Sequence, residues 1–186
     1  MDARSGGGSP FLNILKFISG DFRSASHLLR EALETQPDFD SGMNHLANTT
    51  VVEPIYYIVG GAGPKQGAVI ERNRRPPAVD LWYINGTKAP APWFVLQTNY
   101  DRTEKIPKWD DRQTPGIAHL RTLGQAAVGE ESMRTVFHTW PTYNFHTDIT
   151  AVLGVTSGSY YNVVWVSGAA AGGEAASDRA GAEMWV

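Results

Sequence analysis

Two periodicities divide the chain. Between Ser9 and Thr50 apolar residues recur three and four positions apart, whereas from Val51 onward they fall in short alternating or continuous runs bounded by Gly, Pro and Asn. The first pattern predicts helices. Ser9-Pro10 supplies a cap residue and the proline that suits a first helical position, ahead of Phe11-Leu12-Asn13-Ile14-Leu15-Lys16-Phe17-Ile18, and Gly20 ends the segment. A second helix is predicted from about Asp21, with Phe22, Ala25, Leu28, Leu29, Ala32 and Leu33 on one side and Arg23, Arg30, Glu31 and Glu34 on the other. A third spans Phe39 to Ala47 and carries Met43 and Leu46, although Gly42 lowers its helical propensity.

The second pattern, rich in β-branched and aromatic residues, predicts strands at 54–59, 67–72, 79–84 and 92–98. Gly60-Gly61-Ala62-Gly63-Pro64 joins the first two and matches neither dinucleotide nor P-loop spacing, so it is read as a hairpin turn. Asp110-Asp111 precede a helix through Ile117, Leu120 and Leu123, and a further helix runs from Glu130 to Thr139 before Pro141. Asp148 to Val155 and Tyr160 to Val166 then form a hairpin around Thr156-Ser157-Gly158-Ser159. Helices, strands, helices and strands in that order predict a layered α+β domain over residues 1–166. Residues 167–186, mostly Ala and Gly, offer little to anchor a core and read as a disordered or non-native tail.

Composition narrows the function classes. The chain has 186 residues, 42% apolar and 19% charged, which is the size and balance of one folded domain, and no apolar run is long enough to span a bilayer. With 16 basic against 19 acidic residues and no long basic stretch, it lacks the charge footprint of a nucleic-acid binder. There is no cysteine, so disulfides, thiolate metal sites and a cysteine nucleophile on these residues are all excluded. His27, His45, His119, His138 and His146 lack the spacing of a zinc helix, no Gly-x-Ser-x-Gly elbow occurs, and no cofactor or metal is expected. No leader is visible after Met1, and two sequons, at Asn48 and Asn85, favour a secretory route only weakly.

Chemistry concentrates in Gln97-Thr98-Asn99-Tyr100-Asp101-Arg102 and in Asp110-Asp111-Arg112-Gln113-Thr114-Pro115. Read as structure, the first is a strand end and turn, and Asp110 or Asp111 caps a helix. Read as function, Asn99 offers amide donors at the mouth of a sheet, and a guanidinium nearby can hold a carboxylate or steady a developing negative charge. Spacing does not choose between the two.

Those two strings, together with Tyr56-Tyr57-Ile58-Val59-Gly60-Gly61 and Gly67-Ala68-Val69-Ile70-Glu71-Arg72-Asn73-Arg74, resemble the family of acid ceramidase and N-acylethanolamine-hydrolysing acid amidase. The tyrosine-led and Arg-Asn-Arg motifs are similar to the amidase branch, while Gln97 to Arg102 is at least as similar to the ceramidase branch. The likeness runs from about Asp2 to about Tyr161. It implies a four-layer αββα N-terminal-nucleophile hydrolase, of which this chain is a C-terminal part, matured by self-cleavage that exposes a cysteine. That cysteine would attack the amide of a lipid substrate, using its own α-amine as base.

By resemblance, Asn99 matches an active-site asparagine that donates to the oxyanion, and Arg112 an active-site arginine that organises the polar network around the nucleophile. The chain departs from the family in two respects. It has no cysteine, so alone it is expected to be inert and to need a segment or subunit that carries one; and Ala3 stands where family members usually place a glutamate. Ceramide hydrolysis and a non-catalytic lipid-binding homologue are the alternatives to hydrolysis of an N-acylethanolamine. The resemblance further implies a lysosomal glycoprotein and allows a peripheral membrane contact.

Overall fold

A computed structural model describes residues 2–4, 11, 14, 15, 18 and 23–165. The chain divides into two units, Met1–Lys108 and Trp109–Val186. The first unit contains β1 (Asp2–Ala3), α1 (Ala25–Thr35), α2 (Phe39–Asn48), β2 (Ile55–Gly60), β3 (Gly67–Arg72) and β4 (Asp80–Tyr83). The second contains α3 (Gln113–Leu123), α4 (Glu130–Phe137), β5 (Ile149–Gly154) and β6 (Ser159–Val164).

In the first unit the strands form one antiparallel sheet in the order β1-β2-β3-β4. Side chains alternate across it, so Ile55, Tyr57, Ala68 and Ile70 share one face, which α1 and α2 cover through Ala25, Leu28, Ala32, Met43, Leu46 and Ala47. Leu28, Leu46 and Ile70 are fully buried there, each contributing about 1.5–3 kcal/mol of transfer free energy. The helices start where polar side chains accept the first backbone N–H groups: Ser24 Oγ from His27 at 3.2 Å, and Asp38 Oδ1 from Ser41 at 2.8 Å. Tyr57 satisfies its buried hydroxyl by donating to the Ala25 carbonyl at 3.0 Å.

The β2–β3 hairpin confirms the turn reading of the glycine-rich stretch. Gln66 Oε1 accepts the Gly63 N–H at 2.8 Å, so the loop's own side chain takes a donor that a phosphate cradle would offer. Gly67 lets Ile84 pack close against the strand, since a Cβ there would lie 2.3 Å from Ile84 Cδ1 and displace that side chain.

Most predicted elements appear within a few residues of their expected limits, and residues 67–72 coincide with β3. The strand expected at 92–98 does not form; only a bridge between Ala91 and Phe94 is present. Pro90 and Pro92 remove two ladder donors from its approach, and Trp93 packs edge-on to Phe94 with ring centroids 4.6 Å apart, turning the chain instead of extending it. Of the first predicted helix, Phe11, Ile14, Leu15 and Ile18 are helical and exposed. Its remaining residues, the break at Gly20, the start near Asp21 and the 167–186 tail lie outside the described residues.

In the second unit β5 and β6 form an antiparallel pair. Thr150, Val152, Tyr161 and Val163 share the face on which α4 packs, where the Arg134 guanidinium lies 4.4 Å from the Tyr161 ring centre. Trp165 Nε1 donates to Thr150 Oγ1 at 3.0 Å, and its ring meets His138 and Tyr143 edge-on. The other face presents Ile149, Leu153, Tyr160 and Val164, between 40% and 67% exposed, an apolar strand face with no helix over it among the described residues. Both units are α+β with antiparallel strands, as the sequence leads one to expect.

Candidate functional site

The face of the first sheet opposite α1 and α2 carries the chemistry. Register places Tyr56, Glu71 and Asp80 side by side across β2, β3 and β4. Glu71 is 5% exposed, a carboxyl taken almost wholly out of water. Arg4, just beyond β1, reaches onto this row. Its Nε and Nη2 donate to the two oxygens of Asp101 at 2.6 and 2.5 Å, Nη2 also donates to Glu71 Oε1 at 3.1 Å, and Nη1 donates to Asn73 Oδ1 at 2.7 Å. The Tyr56 hydroxyl donates to Asp101 Oδ1 at 2.5 Å. One planar guanidinium therefore bridges a strand and a non-regular segment, the geometry for which arginine is suited and lysine is not.

The electrostatics follow from two carboxyls sharing one cation. The Arg4 guanidinium, helped by the Tyr56 hydroxyl, holds Asp101 down at about 2 against its burial. Burial first, and then its hydrogen bond to the Asp101 carboxylate, push Glu71 up to about 7. Burial and the same carboxylate push the Tyr56 hydroxyl well above the usual phenol range, and Asp101 raises Arg4 above an already high value. Within the pair, a proton is therefore favoured on Glu71 over Asp101. Asp80 has cations of its own: Lys88 donates to it and Arg102 lies 3.4 Å away.

Asn99 lies two residues before Asp101, half-buried in a segment without regular structure. Gln97 Nε2 donates to the carbonyls on either side of it, Thr98 at 2.6 Å and Tyr100 at 2.8 Å, and Glu104 N donates back to the Asp101 carbonyl at 2.8 Å. The asparagine thus sits in a tightly folded segment docked on the sheet face.

Arg112 belongs to the second unit and stands at the N-terminal boundary of α3, where its carbonyl accepts the Gly116 N–H at 3.2 Å. Its Nε lies 3.2 Å from Asp110 Oδ1, with both side chains partly buried. Asp111 Oδ1 accepts the Thr114 N–H at 2.9 Å, so of the two aspartates Asp111 serves the helix start and Asp110 orients Arg112. An arginine aligned by an aspartate beside it can present donors to an anion or a polar network.

The constellation that sequence reasoning missed is Arg4, Tyr56, Glu71 and Asp101. Tyr56, Glu71 and Asp101 lay inside motifs singled out for other reasons, and Arg4 directly follows Ala3, but none was assigned a role. The available signal was Glu71 itself, a carboxyl between Ile70 and Arg72 in a strand whose residues are buried on both faces.

No family model matches the chain. Among curated proteins, the N-acylethanolamine-hydrolyzing acid amidase of Rattus norvegicus is 37% identical over 149 residues, covering 80% of this chain and 40% of that protein. The same amidase of Oryctolagus cuniculus is 40% identical over 136 residues, 73% of this chain and 37% of that one. The acid ceramidase of Homo sapiens is 33% identical over 152 residues, 81% and 38%. The chain thus spans about 40% of the length of the curated relatives it matches. Among solved structures, the Caenorhabditis elegans N-acylethanolamine-hydrolyzing acid amidase ortholog superposes with a TM-score of 0.65 at 28% identity, covering 88% of this chain and 63% of that one.

Proposed function

Over the residues that align, this chain belongs to the family of acid ceramidase and N-acylethanolamine-hydrolysing acid amidase, and from that membership we propose that it is part of an N-terminal-nucleophile hydrolase that cleaves the amide bond of an N-acylethanolamine. The observation that carries the proposal is the length and order of the likeness, which takes in the segment with Asn99 and the turn with Arg112. Higher identity to the amidases than to the ceramidases favours an N-acylethanolamine over a ceramide as substrate.

In this reading the nucleophile comes from residues outside the sequence, which has no cysteine. The thiolate adds to the amide carbonyl carbon, the oxyanion is met by the Asn99 side-chain amide, the protonated amine leaves, and water then releases the fatty acid and restores the thiol. Arg112, aligned by Asp110, organises the polar surroundings of that thiol. The chain alone is inert and requires the partner segment. A lysosomal glycoprotein fits the same reading, since Asn48 and Asn85 are both exposed.

The direct test is intact mass and N-terminal sequencing of the protein from its source, followed by hydrolysis assays on an N-acylethanolamine and a ceramide. A subunit beginning with cysteine and a preference for the N-acylethanolamine would support the proposal; ceramide preference would transfer it to the other branch. A second reading, a non-catalytic lipid-binding homologue, is favoured by the missing cysteine and by Ala3. It predicts lipid binding with no hydrolysis by the native protein.

Two further outcomes are expected. The isolated chain should bind a hydrophobic dye and self-associate, because Ile149, Leu153, Tyr160 and Val164 lie on an open strand face; monomeric light scattering without dye binding would count against a required partner. In the active enzyme Arg112→Lys should lower turnover by about tenfold or more, because charge is kept while the planar donor fork is lost. Full activity would mean that only the charge matters at this position.

A further inference from the structure

Two contacts that differ in kind act on the segment that carries Asn99. Gln97 shapes the segment from within, bridging the carbonyls of Thr98 and Tyr100. Asp101 ties the segment to the sheet, gripped by Arg4 through two hydrogen bonds and by Tyr56 through a third, and Arg102 adds a longer contact to Asp80 on β4. Arg4 is itself fixed on Glu71 and Asn73, at and just beyond the end of β3. We propose that Arg4 is a positioning residue, which holds the segment carrying Asn99 against the sheet face through Asp101, and that the buried Glu71 carboxyl limits this hold to acidic pH. The catalytic consequence rests on the reading of Asn99 given above; the anchor itself does not.

The charge balance gives the sign. With Glu71 protonated, one guanidinium faces one carboxylate at a partly buried position, and the acid proton can be shared with Asp101. When Glu71 ionises, a second negative charge develops beside the first. The groups facing it are Arg4 beyond β1, Tyr56 on β2, Asp80 on β4 and Asp101 on the segment, and Asp80 is already neutralised by Lys88 and Arg102. Among the described residues of these elements, Arg4 is the cation in contact with Glu71, while Arg102 is engaged by Asp80. A carboxyl raised in the folded state stabilises it below its ordinary value of 4.5, and that stabilisation is lost as pH rises through about 7. Asp101 works in the opposite direction, and its stabilisation is lost as pH falls below 3.8 towards about 2. The two together leave an acidic window in which the segment is most firmly docked.

Backbone hydrogen exchange of residues 97–104 in the full chain, corrected for its intrinsic pH dependence, tests this. Exchange of these amides should quicken by up to about tenfold per pH unit between pH 4.5 and 7. Glu71→Gln preserves shape and imitates the protonated acid, so it should flatten that profile; an unchanged profile would overturn the role of Glu71. Arg4→Lys should speed exchange of residues 97–104 by roughly tenfold at pH 5 while leaving the β2 and β3 amides protected, and Tyr56→Phe, a milder change that keeps the arginine clamp, should do so by less. Exchange within about twofold of the parent in both variants would sink the anchor.

In the active enzyme Arg4→Lys should lower kcat with little change in KM. Full kcat in Arg4→Lys alongside a defective Asn99→Ala would remove Arg4 from positioning. Full activity of Asn99→Ala would instead overturn the reading of Asn99 and with it the catalytic part of the proposal, while exchange still decides the anchor.

Discussion

Asn99→Ala is expected to lower turnover of the active enzyme by about a hundred- to a thousandfold, the loss found when a side-chain donor is removed from an oxyanion site. The effect should fall on kcat and kcat/KM alike, because the negative charge exists only in the transition state and substrate binding barely samples that hydrogen bond. Folding should be much less affected: Asn99 is half-buried in a non-regular segment that Gln97 and Asp101 hold from either side. Asn99→Asp sharpens the test. It keeps the shape, replaces the donor amide by a carboxylate, and places a negative charge where one is about to develop, so it should be at least as damaging as Ala. Steady-state kinetics on a lipid amide measure both variants, and unchanged turnover in either would remove Asn99 from the mechanism.

What was legible in the sequence was local. Strand β3 was found at its observed limits because Ala68, Val69 and Ile70 give it an apolar centre between the turn residues that end at Gln66 and Asn73. The helices at Ala25–Thr35 and Phe39–Asn48 were visible from apolar spacing, while their caps, Ser24 and Asp38, emerged only in the structure. The false strand at 92–98 arose from weighing its apolar side chains above the donors lost at Pro90 and Pro92. The site was legible only through likeness, and only in part. Arg4 and Asp101 are 97 positions apart, and no periodicity or motif links residues at that separation. The one local sign was a conflict: Glu71 and Arg72 are adjacent and must point to opposite faces, so burial of both requires a separate polar partner on each side of the sheet. Arg4 and Asp101 supply it on one side, and the end of α2 supplies it on the other.

That second partnership carries the largest expected effect on stability. Arg72 is fully buried, and its guanidinium donates to the carbonyls of Leu46 and Thr49 at the C-terminal end of α2, the latter at 2.5 Å. Those carbonyls lie at a helix end where backbone acceptors lack intrahelical donors and the partial charge is negative, so a cation there satisfies hydrogen bonds and field together. Burial works against the charge and pulls the pKa of Arg72 down, with Tyr57 partly offsetting it. The hydrogen bonds and field at the helix end work against that burial cost. Arg72→Met keeps much of the volume, removes the desolvation cost, and leaves both carbonyls without their donor; it should destabilise the protein by about 2–4 kcal/mol. Arg72→Ala should cost more by the cavity it adds between α2 and the sheet. Denaturant unfolding measures both, with the Met variant moving the midpoint and leaving the slope unchanged. A loss below about 1 kcal/mol for Arg72→Met would mean that water or a relaxed last turn satisfies those carbonyls, and that what fixes α2 on the sheet is the apolar contact of Met43, Leu46 and Ala47 alone.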